Sequence, residues 1–373
     1  MSKQQQFQYV TYGSKANSQE VEKFINHLID YSFTNTSKPP TPICIWGMHG
    51  IGKTEMVRDA AIKKGYQFVY IAPAQFEEMG DLVGMPKIEI DEAGVSTTRL
   101  IPPSWVPQEE GEGIFLIDDV NRADDRILRG IMQLLQNYEL VSWKMPKKWL
   151  IVLTANPDGG DYSVTTMDDA MLTRMIHVTM EFDVKSWAKW AEQAKIDSRG
   201  IDFVLTYPEI VSGQRTTPRS LVQFFDAIST IKDLKEDLEM VKMLGDGCLD
   251  PHTTIAFVNF INMDLSKLIG AEEILNTADF RQIENRIKAL IEAKTKRLDI
   301  LSVIITRLTN YLIYSKEDIK DKQFDNLKKF ILLELIPNDL RLAMAQEIIK
   351  SENKAMKKLY AIPEIGKLLL TKM

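Results

Sequence analysis

The stretch Gly47-Met48-His49-Gly50-Ile51-Gly52-Lys53-Thr54 decides the fold of this chain. An apolar run, Ile43–Trp46, precedes it as a predicted buried strand, and residues 55–64 follow it as a predicted helix. Glycines let the backbone curl until its N–H groups point at phosphate oxygens, and the helix N-terminus adds a positive dipole end. In such a loop Lys53 reaches the β- and γ-phosphates and the Thr54 hydroxyl binds Mg²⁺. The alternative is a chance glycine-rich turn, against which the flanking strand and helix argue.

Composition narrows the class of protein. The chain has 373 residues, a net charge of −6 and 45% hydrophobic residues, which leaves room for two or three domains. The net negative charge argues against a protein that coats nucleic acid non-specifically, although the sequence leaves open a local basic patch that binds it. Two cysteines, Cys44 and Cys248, fit a reducing compartment. The sequence has no apolar signal core at its start and no apolar run of membrane-spanning length, so we expect a cytoplasmic protein without a membrane partner.

Strand-like and helix-like segments alternate through the first half of the chain. The strand-like runs are residues 43–46, 67–72, 114–118, 150–155 and 175–180. This alternation predicts an α/β fold with a parallel five-stranded sheet, from which the glycine- and proline-containing segment 77–107 is an excursion. Beyond about residue 182 the strand signal fades. Only two of the 19 glycines lie in the last 123 residues, so residues 271–373 are predicted to form a series of helices.

A pair of carboxylates follows the third strand-like run. Asp118 and Asp119 come directly after the apolar residues 114–117, at the carboxyl edge of the predicted sheet, where open α/β folds bind ligands. There Asp118 would hold Mg²⁺ through water and Asp119 would polarise an attacking water. Two acids after a strand otherwise form a solvated turn or a helix cap. Their combination with the glycine-rich loop favours the catalytic interpretation.

An amide follows the next strand-like run. Asn156 stands at the end of residues 150–155, where a neutral side chain can hold the nucleophilic water without adding charge. The Asn156-Pro157 pair is equally a common turn dipeptide.

Two arginines further along the chain are also candidates. Arg174 precedes the run 175–180 and would stabilise charge on a transferred phosphate, or else pair with Asp168 or Asp169 at the surface. Arg219 follows Pro218 at a predicted helix start. Its side chain would either sense the phosphate of a bound nucleotide or be a solvent-exposed charge.

These motifs together resemble those of AAA+ ATPases. The resemblance covers about residues 18–234, and the run Asp119-Val120-Asn121-Arg122-Ala123 with residues 81–84 and 100–105 is most similar to the MoxR branch. It implies a site for ATP and Mg²⁺. The implied roles are Walker A at Lys53 and Thr54, Walker B at Asp118 and Asp119, sensor 1 at Asn156, an arginine finger for a neighbouring subunit at Arg174, and sensor 2 at Arg219. Residues 77–107 and a short hairpin at 139–148 would face a central pore, as in relatives.

One position departs from the family pattern. The family usually has Glu where this chain has Asp119, which is one methylene shorter. The carboxylate then acts over a gap about 1 Å longer, and such misplacement can cost about a hundredfold in rate. Slow turnover is therefore an alternative that stays open.

The resemblance also divides the chain. It predicts a polar lead-in at 1–17, a nucleotide-binding core at 18–183, a helical lid with sensor 2 at 184–268, and a helical C-terminal module at 269–373. The last module is unmatched. It is expected either to dock a client or stabilise a ring, or to pack as an extension of the lid.

The function expected from the resemblance is chaperone-like. A homo-oligomeric, hexameric ring would hydrolyse ATP to remodel a protein client, and clients of this branch are often proteins with a von Willebrand A domain. Two alternatives stay open: a nucleic-acid-directed motor or loader, which the acidic balance disfavours, and an ATP-gated scaffold with slow turnover.

Overall fold

The computed structural model describes residues 10–34, 38–90, 94–157, 164–212, 215–263, 268–292, 298–314, 319–350, 359 and 362–370. The first nine residues of the lead-in and parts of the C-terminal module lie outside these ranges. The chain divides into two compact units, Met1–Asp183 and Val184–Met373. None of the helices in the described ranges is long and apolar enough to cross a membrane.

The first unit contains ten strands and five helices among its described residues. In chain order they are β1 (Ser14–Ala16), α1 (Ser18–Thr34), β2 (Ile43–Trp46), α2 (Lys53–Lys64), β3 (Gln67–Ile71), α3 (Met79–Val83), β4 (Met85–Ile90), β5 (Ser96–Ile101), β6 (Gly113–Ile117), α4 (Asp125–Asn137), β7 (Glu139–Leu140), β8 (Trp143–Lys144), β9 (Trp149–Ala155), α5 (Asp169–Leu172) and β10 (Ile176–Met180).

A parallel sheet of six strands forms the centre of this unit, in the order β1-β10-β2-β9-β6-β3. The α/β fold is confirmed, and the five predicted strands are all present. The sheet is one strand larger than predicted, because Ser14–Ala16 of the lead-in pairs in parallel with β10. Local sequence carries little signal for β1, since this short edge strand is polar and mostly exposed.

Helices cover both faces of the sheet. On one face, Val21 and Ile25 of α1 and Val57 of α2 pack against the central strands. On the other, Ile127 and Ile131 of α4 do so. Every residue of β2, β6 and β9 is consequently buried. Strands covered on both faces are almost entirely apolar rather than alternating, which is why these runs stand out in the sequence.

Two antiparallel hairpins extend from the sheet. The strands β4 and β5 pair with each other within the predicted excursion, and β7 pairs with β8 within residues 139–148, as the hairpin prediction requires. The β4–β5 hairpin exposes large apolar side chains, with Ile88 and Ile90 each 70% exposed.

Helices connected by loops form the second unit, and its described residues contain no strand, in agreement with the fading strand signal. Its helices are α6 (Val184–Gln193), α7 (Ser198–Thr206), α8 (Pro218–Ile228), α9 (Leu238–Cys248), α10 (Pro251–Asn262), α11 (Ala271–Asn276), α12 (Phe280–Glu292), α13 (Leu298–Tyr314), α14 (Asp321–Ile331), α15 (Asn338–Lys350) and α16 (Pro363–Leu370).

A largely buried ion-pair cluster joins helices of the predicted lid to the C-terminal module. Arg307 of α13 lies 2.9 Å from Glu192 of α6 and 3.7 Å from Asp202 of α7. Its guanidinium also donates to the main-chain oxygen of Ser198. Removing α13 would leave the buried Asp202 carboxylate and the partly buried Glu192 carboxylate without their cation, which is destabilising. These contacts favour the interpretation of the C-terminal module as an extension of lid packing.

The same cluster makes stability depend on pH. Burial raises the pKa of the Asp202 carboxyl to about 6, against the opposing effect of Arg307 and with a further rise from Glu192. Because the folded-state pKa lies above the unfolded value of 3.8, protonated Asp202 favours folding at low pH, and this contribution is lost as pH rises through about 6. Asp202→Asn keeps the Arg307–Glu192 pair and does not titrate. Its stability relative to the wild type is therefore expected to rise by about 2–3 kcal/mol between pH 4 and pH 7. Urea unfolding of both proteins at the two pH values measures this change, and a difference independent of pH would contradict the assignment.

Candidate nucleotide-binding site

The glycine-rich loop between β2 and α2 is shaped to receive an anion. Gly52 stands at φ 94° before the first turn of α2, a left-handed conformation that favours glycine. A Cβ at Gly47 would lie 2.7 Å from the main-chain oxygen of Met180, so no larger residue fits there. Within the described part of the chain, the main-chain N–H groups of Gly50, Ile51 and Gly52 have no hydrogen-bond acceptor. They are free to donate to phosphate oxygens.

Lys53 lies beneath this loop and is only 5% exposed. Its ammonium donates to the main-chain oxygens of Gly47, at 2.6 Å, and Met48, at 3.0 Å. It also donates to Oδ1 of Asn156 at 3.3 Å. A buried charge requires such partners, and phosphate oxygens are stronger acceptors than the loop carbonyls.

Asp118 binds hydroxyl groups from three different strands or helices. Its Oδ1 accepts from Thr54 Oγ1 and from Thr154 Oγ1, each at 2.6 Å. Its Oδ2 accepts from Tyr70 Oη at 3.2 Å. Burial, together with the neighbouring Asp118 carboxylate, raises the pKa of Tyr70, so this hydroxyl remains a donor at neutral pH.

Asp119 follows with a left-handed backbone, φ 47° and ψ 46°. Asp and Asn tolerate this conformation better than most residues with a side chain. Its Oδ1 accepts from Asn156 Nδ2 at 3.0 Å, and its Oδ2 lies 3.2 Å from Nε of Arg122. Both oxygens of the candidate catalytic carboxylate therefore have partners.

The sheet order explains why these residues meet. The strands β2, β9 and β6 are adjacent and parallel. Lys53, Asn156 and Asp118 each follow the carboxyl end of one of them. Parallel strands present their carboxyl ends at one edge, which is where open α/β sheets bind ligands. The structure thus brings together Lys53, Thr54, Asp118, Asp119 and Asn156.

Three further polar residues belong to this cluster without a role assigned by sequence. Thr154 is fully buried in an otherwise apolar strand, which is the signal that marks it. Asn121 is likewise fully buried and lies within the motif next to Asp119. Tyr70 reaches Asp118 only because β3 pairs with β6, a neighbour relation that local sequence does not encode.

Arg174 does not join the cluster. Its guanidinium donates to Gln136 Oε1 on α4, at 3.0 Å from Nη2, and to the main-chain oxygen of Ala170. Arg174 forms no ion pair with Asp168 or Asp169 in the described part of the chain. Asp168 instead caps α5, because its Oδ1 accepts from the main-chain nitrogen of Met171. Arg174 precedes β10, which runs parallel to β2, and therefore lies at the amino edge of the sheet.

Arg219 lies in the second unit, in the first turn of α8 behind Pro218. Thr217 and Ser220 form a capping box at this helix start. Arg219 is exposed and makes no hydrogen bond or ion pair with another described residue. Its sensor role stays a prediction.

The donor set of the cluster suits a magnesium–nucleotide complex. Thr54 and Asp118 supply hydroxyl and carboxylate oxygens, the ligand type that Mg²⁺ prefers. The loop supplies N–H groups that are free to donate, and Lys53 supplies a positive charge, which is the arrangement that phosphates require.

Comparison with known proteins agrees with this geometry. Residues 42–175 match the family model described as AAA domain (dynein-related subfamily). Residues 42–175 form an AAA domain. The matched segment begins before β2 and ends just after Arg174, so it contains the whole cluster, and AAA domains are ATPase domains.

Solved structures of RuvB from Thermotoga maritima are also similar to this chain. A mutant form of that protein is 14% identical, with a TM-score of 0.41, over 84% of this chain and 95% of that chain. The Thermotoga maritima RuvB Holliday junction branch migration motor is 14% identical, with a TM-score of 0.39, over 83% of this chain and 94% of that one. The activity named for that motor is said of that protein and is not carried over to this chain. No curated protein matches the chain.

Proposed function

We propose that this AAA-domain protein is a MoxR-like ATPase, which binds ATP and Mg²⁺, hydrolyses ATP in a hexameric ring and remodels a protein client. The observation that carries the proposal is the convergence of Lys53, Thr54, Asp118, Asp119 and Asn156 through direct hydrogen bonds at one sheet edge. A glycine-rich turn without a ligand would have no reason to gather these groups.

The chain's own residues divide the work of hydrolysis. The loop N–H groups and Lys53 bind the phosphates, and Thr54 with Asp118 hold Mg²⁺. Mg²⁺ held there would supply the positive charge that offsets charge developing on the phosphate oxygens. Asp119 accepts a proton from the attacking water, and the Asn156 amide orients that water. Since Asp119 is short and both its oxygens already have partners, slow turnover, and with it the ATP-gated scaffold, is the second candidate.

The position of Arg174 supports a ring. The strand β10, five residues long, spans about 17 Å between the amino edge, where Arg174 lies, and the carboxyl edge, where the nucleotide cluster lies. An arginine side chain does not cross that distance around a packed sheet. A role for Arg174 in hydrolysis therefore requires the nucleotide of a neighbouring subunit.

Mixing two inactive variants tests both hydrolysis and the ring. Wild-type protein is expected to release phosphate from ATP, whereas Arg174→Ala and Lys53→Ala are each expected to be nearly inactive. Mixed rings should regain part of the activity, because an intact loop then faces an intact Arg174. Phosphate release and native mass measure activity and mixing. Inactivity of rings shown to be mixed would refute action between subunits, and inactivity of the wild type would refute the ATPase.

The exposed β4–β5 hairpin supports a protein client. Its apolar side chains, including Met85, Ile88, Ile90 and Ile101, face solvent in the described structure. Exposed apolar patches mark surfaces that contact other proteins. A protein with a von Willebrand A domain is the client class that the MoxR resemblance favours.

A further inference from the structure

The side chain of Asn121 makes two hydrogen bonds to the main chain of Asn156. Its Nδ2 donates to the carbonyl oxygen of Asn156 at 2.8 Å, and its Oδ1 accepts from the main-chain nitrogen of Asn156 at 3.1 Å. Asn156 lies just beyond β9, where the ladder to β2 has ended. Both main-chain groups are buried there, and Asn121 satisfies them in place of a strand.

This bidentate contact determines where the Asn156 side chain lies. The amide spans the site: Oδ1 accepts from Lys53 Nζ at 3.3 Å and Nδ2 donates to Asp119 Oδ1 at 3.0 Å. A shift of the Asn156 main chain would break one of these contacts or both. Asn121 is fully buried and touches neither Lys53 nor Asp119 through a hydrogen bond, so it acts through Asn156.

The main chain of Asn121 and its neighbour Ala123 also accepts hydrogen bonds from Thr165. Its carbonyl oxygen accepts from the main-chain nitrogen of Thr165 at 2.7 Å, and the Ala123 oxygen accepts from Thr165 Oγ1 at 2.8 Å. Thr165 precedes α5 and Arg174. The turn Val120–Arg122 is therefore bonded both to the end of β9 and to the segment that leads to Arg174.

We infer that Asn121 is a positioning residue for ATP hydrolysis, which fixes the Asn156 amide between the phosphate-binding lysine and the catalytic carboxylate. The inference rests on the proposed ATPase function. It assigns Asn121 to the chemical step and not to nucleotide binding, because the loop and Lys53 remain in place without it.

Replacing Asn121 tests this separation. Asn121→Leu, of similar size, removes both hydrogen bonds and is expected to lower kcat about 100-fold, the cost of a misplacement of roughly 1 Å, while the Kd for ATP changes less than about threefold. Asn121→Asp keeps the acceptor and loses the donor, and is expected to lower kcat as well. It remains measurable should the leucine variant not fold.

Asn326 provides a matched control. It is a buried asparagine whose Nδ2 donates to the main-chain oxygens of Leu275 and Thr277, at 2.9 and 3.0 Å. Asn326→Leu should lower the unfolding temperature in the same way as Asn121→Leu but leave kcat unchanged.

In an Asn156→Ala background, adding Asn121→Leu should lower kcat no further, since the two residues act as one unit.

The outcomes are separable. Wild-type kcat in Asn121→Leu or Asn121→Asp, or an undiminished additional loss in the Asn156→Ala background, overturns the inference while leaving the ATPase proposal intact. Absence of hydrolysis in the wild type overturns both. Loss of kcat in Asn326→Leu as large as in Asn121→Leu assigns the effect to general destabilisation and also overturns the inference.

Discussion

Lys53→Ala is expected to weaken ATP binding about 100-fold, which places it below detection by calorimetry under ordinary conditions. The ammonium is the buried cation of the loop, with hydrogen bonds to Gly47, Met48 and Asn156 that phosphate oxygens would replace. Charge-assisted hydrogen bonds contribute about 1.5–3 kcal/mol each, and the upper end of that range corresponds to the expected loss.

Lys63→Ala is the control for this variant. Lys63 lies in the same helix, is exposed and pairs with Glu22 at 2.8 Å, so its removal should leave ATP affinity unchanged. Circular dichroism would establish that both variants are folded. An unchanged Kd in a folded Lys53→Ala protein would show that the glycine-rich loop is not the nucleotide site.

Asp119→Asn is expected to bind ATP with wild-type affinity and to hydrolyse it at least about 100-fold more slowly. The amide cannot accept the proton of the attacking water, and general-base catalysis contributes about 10²–10⁴-fold. Asparagine tolerates the left-handed backbone at this position as aspartate does, so the loss is chemical and not conformational. Steady-state phosphate release and ATP titration separate the two parameters.

Asp119→Glu examines the shortened side chain. We expect it to raise the steady-state rate, because its carboxylate reaches about 1 Å further towards the water. A fall in rate would show that the left-handed turn and the contacts to Asn156 and Arg122 require the shorter residue. Normal turnover of Asp119→Asn would place the base at another residue.

The sequence alone determined the fold class and five of the six strands of the parallel sheet. Strands β2, β6 and β9 are buried on both faces, and strands in that environment are almost entirely apolar, which local sequence reveals. Backbone positions that only glycine can occupy are also visible in the local sequence, as at Gly47 and Gly52 in the turn after β2. For these reasons the candidate residues Lys53, Thr54, Asp118, Asp119 and Asn156 could be chosen before their geometry was known.

Which residues become neighbours was decided only by the tertiary structure. Adjacency of β2, β9 and β6 joins residues far apart along the chain, so that Tyr70 reaches Asp118 and Asn121 reaches Asn156. Tertiary structure likewise decides the edge strand β1 and the pairing of Arg307 with Glu192. It also places Arg174 at the opposite edge of the sheet from the nucleotide cluster. Local periodicity reports how deeply a residue is buried, whereas strand order and helix packing select its partner, and that selection depends on the whole folded chain.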